Sequence, residues 1–310
     1  VEGALLFLYR FTFSPLYLST SSLLPIPMSF QAELTRVIEL FQFPFMQRAM
    51  IGGVLTGLMG GMLGSFTILR QLSFFSDALG HAALLGISIG LLIGINPSVV
   101  LLPFAVLFAL GVTYLLERTR LWTDALLNII YSSSLAIAII ILSFVGQYKG
   151  GLNNLLFGDI LAVQELDLVF SSLLLIVCVV LVGLTLRTQM LVTLHEPLAI
   201  ARGVSVSAHR TAFIVLLSLV VGISIKAIGV LLVSAFVVIP ACAARLLSRN
   251  FTNYVLLSAG LGAFSAVGGM VLSAAFNLPS GPTIVAVQLT IFLIATVLPY
   301  VGSVQRYGSR

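Results

Sequence analysis

Long apolar runs separated by short polar junctions set the pattern of this chain. Segments at about 48–69, 74–94, 97–116, 123–145, 167–186, 211–226, 228–247, 253–276 and 281–300 each carry enough apolar residues to approach the roughly 20 that a membrane-crossing helix needs. The pattern predicts about nine transmembrane helices, within a range of eight to ten. The pair across 211–247 reads either as two crossings or as one long broken helix, with Lys226 and Gly229 at the break. Glycine is dense in GGVLTGLMGGMLG and GLGAFSAVGGM, the composition that lets helices approach closely in lipid.

The ends differ from the middle. Residues 1–30 are an irregular extension broken by Arg10, Pro15, Pro25 and Pro27, and a start at Met28 is one reading of them. Residues 31–47 read as an amphipathic lead-in lying at the membrane interface. The body is then 48–300, a single all-α, polytopic helical membrane domain, with a short cytoplasmic tail at 301–310.

Composition sharpens this picture. The 310 residues are 59% hydrophobic and only 8% charged, so a soluble domain of this length is excluded. The runs are continuous rather than alternating, which excludes a transmembrane β-barrel. The net charge of +5 comes from loop arginines and implies no nucleic-acid partner. With nine crossings, Arg70, Arg118, Arg120, Arg187, Arg202, Arg210, Arg245, Arg249, Arg306 and Arg310 all fall on one side, the cytoplasm by the positive-inside rule; Arg48 lies near the opposite end. Cys178 and Cys242 lie within apolar segments and read as packing residues.

Candidate chemistry centres on Asp77 and His81. Four residues apart on a helix, they share one face, about 6 Å apart along the axis. A carboxylate and an imidazole so placed are half a site for Zn²⁺ or Mn²⁺. The plainer alternative is that Ser76 and Asp77 cap the helix while His81 is an interior packing histidine. Asp124 opens the fourth segment, where an acid suits a helix N-terminus. Asp159, in the outer connection, either relays a cation or is solvated, and Lys226 is expected to snorkel or to pair with an acid. In the inner connection 187–210, a short helix is expected from Glu196 to Ala201, entered through Pro197 and closed by Gly203. His195 and His209 there read as solvated.

Four separated strings, SFFSDALGHAALLGISIGLLIGINP, FGDILAV, AIGVLLVSAFVVIPACAARLLSR and NLPSGPTIV, closely resemble the permease subunit of metal-uptake ABC transporters, over about residues 40–300. SDALGHAALLG with Leu85 is more similar to the zinc-type permeases, since manganese-type members tend to carry proline at that position. The resemblance implies import of zinc, with manganese or iron as alternatives, across the cell membrane. It implies a homodimer, two cytoplasmic ATPase subunits that bind the ATP, an extracytoplasmic metal-binding protein, and no permanently bound cofactor. Residue by residue it carries Asp77 and His81 over as metal ligands, and Glu196, Pro197, Ala199 and Gly203 as part of the segment that meets the ATPase. Pro240 matches the family's VIPA segment, a bent helix near the pathway. A gradient-driven secondary transporter is the rival reading, but it would need more intramembrane acids than this chain offers. The sequence has neither HExxH nor a GxxxxGK[ST] phosphate loop, so no catalytic residue is expected and ATP hydrolysis falls to another chain.

Overall fold

A computed structural model of the chain describes residues 39–119, 121–144, 158, 160 and 163–307. Ten helices follow one another among them: α1 (Pro44–Leu69), α2 (Phe75–Ile93), α3 (Pro97–Arg118), α4 (Thr123–Phe144), α5 (Glu165–Leu194), α6 (Glu196–Ala201), α7 (Val206–Ile228), α8 (Val233–Leu247), α9 (Phe251–Phe276) and α10 (Ser280–Tyr307). Eight of these are long and apolar enough to cross a membrane; α8 has 15 residues, about 22 Å at 1.5 Å per residue, and is shorter than the hydrocarbon core.

The chain passes back and forth because α1 pairs with two helices of opposite sense. Gly57 and Gly61 of α1 lie against Gly262 and Ser258 of α9, so those two helices run antiparallel. A Cβ at Gly57 would run into the Gly262 carbonyl, and Ser258 Oγ donates across the same seam to the Gly61 carbonyl. Further along, Gly60 and Gly64 face Phe236, then Val237 and Ala241, so α8 runs in the same sense as α1. The remaining helices build outward: α2 packs on α3 and α4, α7 on α3, α5 on α1, and α10 on α8 and α9. Apolar side chains such as Leu107, Leu184 and Phe264 point outward, as lipid-facing positions must.

One end of the bundle gathers Arg70, Glu117, Thr193, Glu196, Ser207, Arg210 and Phe251: Arg70 touches Thr193 and Phe213, Ser207 donates to Glu117, Arg210 pairs with Glu196, and Phe66 stacks edge-on with Phe251. Of the loop arginines expected on the cytoplasmic side, Arg70 and Arg210 lie in this cluster. The other end carries the pairs Arg48–Glu165 and Lys226–Asp167.

Several boundaries differ from the sequence pattern. α1 starts at Pro44, with proline at its first turn, so the last residues of the expected lead-in are helical. α5 runs on to Leu194, eight residues past its expected end, because backbone bonding continues after the apolar run gives way at Arg187. α7 starts at Val206, so the first residues of the expected span and the end of the inner connection form one helix. The break expected at Gly229 is present, with φ +91° and ψ 160°, values that glycine tolerates best. Val230 there is fully buried, with Gly80 of α2 packed against it. Irregular backbone at membrane depth is tolerated only when protein covers it in this way. Lys226 pairs with Asp167, its ammonium 2.8 Å from both carboxylate oxygens.

Candidate metal-transport site

Asp77 owes its position to the tight junction between α1 and α2. Gln71 takes a left-handed φ of +55°, and the Leu72 and Phe75 N–H groups bond back to Thr67 and Leu72. With Leu72 and Phe75 both buried, this turn is fixed, and Asp77 becomes the third residue of α2. The residue at the N-cap is Phe74, and no side chain makes a capping bond there. The carboxylate thus sits in the first turn, where the helix dipole favours a negative charge, without being consumed as a cap.

His81 lies one turn along the same face and is buried. Its Nδ1 is 3.0 Å from the Asp77 carbonyl and 4.0 Å from Asp77 Oδ1. In the tautomer that donates Nδ1–H to that carbonyl, the lone pair is on Nε2, the atom free for a metal. The ring packs edge-on against Tyr131 of α4 at 4.4 Å.

Asp77 opens on a cavity of about 570 Å³ between the starts of α2 and α4 and the first turns of α8. Asp124 and Asn128 of α4, Ser73 and Ser234 line it with Asp77, and His81 is set back from its lining. The expected pair therefore comes together, but with Asp77 facing the open space. Asp124, assigned only a helix-end role from sequence, shares that space. Its one clue was Asn128, four residues on and thus on the same face of α4. Among the described residues no three His, Cys, Asp or Glu side chains form a metal-holding group. One chain therefore offers an ion an incomplete shell of oxygen and imidazole donors.

The short helix expected in the inner connection is α6, Glu196–Ala201, with Pro197 in its first turn and Gly203 at φ +75° just beyond it. Ala199 is fully buried against Val192 and Val206, which seats α6 on the end of α5. Glu196 and Pro197 are exposed, as are Leu198 and Ile200, and the Glu196 carboxylate pairs with Arg210 at 3.2 Å. His195 is exposed and His209 half-buried, its ring 2.9 Å from the Ser205 carbonyl. Asp159 lies outside the described residues.

Comparison with known proteins gives this arrangement its context. Residues 42–299 match the model of the ABC 3 transport family. The manganese transport system membrane protein MntC of Listeria monocytogenes is 33% identical over 256 residues, 83% of this chain and 91% of that protein. The manganese import system permease protein ScaB of Streptococcus gordonii is 33% identical over 272 residues, 87% of this chain and 96% of its own length. The high-affinity zinc uptake system membrane protein ZnuB of Haemophilus influenzae is 27% identical over 253 residues, 82% and 97% of the two chains. Among solved structures, PsaBC from Streptococcus pneumoniae in complex with Fab superposes with a TM-score of 0.75 at 30% identity, covering 84% of this chain and 95% of that one. The helix order, the family match over most of the chain and these relatives agree: this multi-pass plasma-membrane protein belongs to the ABC 3 transport family, as a permease of the metal-transporting ABC type.

Proposed function

We propose that the chain is the membrane permease of an ATP-driven importer for a divalent transition-metal ion, with Asp77 and His81 as its ligands to the passing ion. The observation that carries this reading is an Asp77 carboxylate free of any capping bond, on a cavity, one turn from a buried His81. Two protein ligands fall short of a closed shell. A two-fold homodimer would present the same pair twice, and water would fill what remains. Such a shell suits a carrier, since an ion that binds must also leave. Two ATPase subunits, one docked on the α6 of each copy through the exposed Glu196, Pro197 and Gly203, would supply the energy for that exchange, with the buried Ala199 only seating α6, and an external binding protein would deliver the ion. Asp159 belongs to this proposal only as an outer relay.

Between metals, the donors favour manganese over the zinc suggested by Leu85. The polar groups that reach the cavity beside Asp77, among apolar Phe74, Ala235, Val238 and Ile239, are carboxylate, amide and hydroxyl groups, and such oxygen donors suit Mn²⁺. Relatives named for manganese reach 33% identity, against 27% for the Haemophilus zinc protein. Zinc is the second reading, supported by that relative and by the His81 imidazole.

Uptake of radiolabelled manganese by cells expressing the complete transporter tests the proposal, with unlabelled zinc as competitor. Asp77→Asn keeps the side chain's shape and its capping capacity but removes its charge. Uptake should fall about tenfold or more in Asp77→Asn and in His81→Ala, the loss expected for one charged or coordinating contact. Wild-type uptake by normally expressed Asp77→Asn would sink the ligand role. Competition by zinc at concentrations below those of manganese would shift the assignment to zinc.

A further inference from the structure

Arg70 follows the last residue of α1 and lies between the two regions that an importer must connect. Its Nε donates to Thr193 Oγ1 at 3.0 Å and its Nη2 donates to Gln189 Oε1. Both acceptors stand on the last two turns of α5, and His195 and α6 follow directly. The guanidinium also covers the Phe213 ring of α7, 4.4 Å from its centroid, and lies 5.9 Å from Phe66. One side chain therefore ties α1 to the foot of α5 and to α7.

The surroundings are unusual for a cation. Among the described residues no carboxylate pairs with Arg70, and its Nη1 is buried without a partner. Burial first, then the charge of Arg210, lowers its pKa to about 10, so it is still a cation at neutral pH. The neighbouring Glu196 carboxylate is taken by Arg210. A charge held by neutral acceptors and ring faces can shift without breaking an ion pair, and the planar fork fixes its direction as lysine cannot. A cavity of about 360 Å³ beside it, shared with Thr193, Glu196 and Arg210, leaves room for that shift.

On its other side Arg70 leads straight into the junction that sets Asp77. Its own N–H closes α1 on Phe66, Gln71 turns the chain, and the Leu72–Phe75 bond starts α2. The foot of α5 and the first turn of α2 are thus joined through one side chain and one tight turn.

We propose that Arg70 is a positioning residue for transport: it links the seat of α6 to the α1–α2 turn, so that displacement of α6 by a partner changes where the Asp77 carboxylate points. This rests on the importer reading above. The test uses the complete transporter, with its ATPase and binding protein, in proteoliposomes, where ATP hydrolysis and metal uptake are measured together. Arg70→Lys keeps the charge but loses the planar fork whose Nε and Nη2 each reach one acceptor in a fixed direction. Thr193→Val removes one acceptor at constant shape. With one or two hydrogen bonds to a charged group lost, the ATP hydrolysed per ion should rise about tenfold in Arg70→Lys and about threefold in Thr193→Val, with assembly and hydrolysis maintained. A wild-type ratio in both variants would overturn the proposal. So would a proportional fall in hydrolysis and uptake with a lower Tm, which is the signature of a merely structural residue. If Arg70→Lys fails to assemble, Thr193→Val decides by the same ratio. Wild-type transporter that shows no ATP-dependent uptake at all would strike the importer reading itself, and this inference with it.

Discussion

Asp77 and Asp124 stand on different helices, yet both face one cavity, and that shared space changes what each is expected to do. Spacing alone leaves Asp77 open as a ligand or a cap, and only the family resemblance favours the ligand, because spacing along one helix cannot tell whether a carboxylate is used by its own backbone. The turn at Gln71 resolves the geometry by putting Phe74, which cannot cap, at the cap position. The sequence assigns Asp124 only a helix-end role because its place opposite Asp77 is a tertiary arrangement, and Asn128 on the same face is its only local sign. Asp124→Asn should lower metal uptake severalfold while leaving expression unchanged, a smaller effect than Asp77→Asn because Asp124 has no imidazole one turn away. Radiolabelled uptake normalised to membrane protein checks it. The Lys226–Asp167 pair invites a second test. Lys226→Met leaves the half-buried Asp167 carboxylate with only the Gln164 N–H as partner and should lower stability by about 2 kcal/mol, whereas adding Asp167→Asn removes the uncompensated charge and should recover part of that loss. Thermal unfolding in detergent would show this as a Tm for the double variant above that of Lys226→Met alone.

Glycines look alike in a sequence, and only the helix pairing separates those that matter. A side chain at Gly57 would strike the Gly262 backbone, where nothing can give way, whereas Gly111 and Gly183 face open space. Gly57→Val should therefore separate α1 from α9 at a penalty of about 1–3 kcal/mol or more. Gly111→Ala should be neutral or slightly stabilising through helix propensity. Detergent-stability midpoints for the purified variants distinguish them. The long helices themselves were legible because twenty apolar residues in water have no alternative to a bilayer. Their ends were less so: apolar content marks where lipid stops, while the helix stops where its hydrogen bonds do. That difference is why α5 extends to Leu194 and why α8, fenced by Gly229 and by Ser248, is too short to cross by itself. The short α6 was legible to the residue, since Pro197 and Gly203 act through backbone geometry that needs no neighbour.

At the scale of the whole molecule, the arginine-rich end and the paired-charge end define opposite faces of the membrane. A cysteine at position 202, exposed beside α6, should be labelled by a membrane-impermeant thiol reagent in inside-out vesicles and be protected in intact cells. Labelling in intact cells would invert the topology. The position of α6 on that face also follows from the length of α5. Thirty residues make a rod of about 45 Å, roughly 15 Å longer than the hydrocarbon it crosses. The Glu165–Arg48 and Asp167–Lys226 contacts hold its far end, and Ala199 and Arg70 engage its near end. Pushed at its foot, such a rod would turn about its far end as a lever does. A sideways push of about 3 Å at the foot is then a rotation of only about 4°, small enough for the packed helices to follow without unpacking. The work done by a partner in the cytoplasm would reach the depth of the membrane as a slight change of angle, and the firmness of the outer pivot would set how much of that swing is lost.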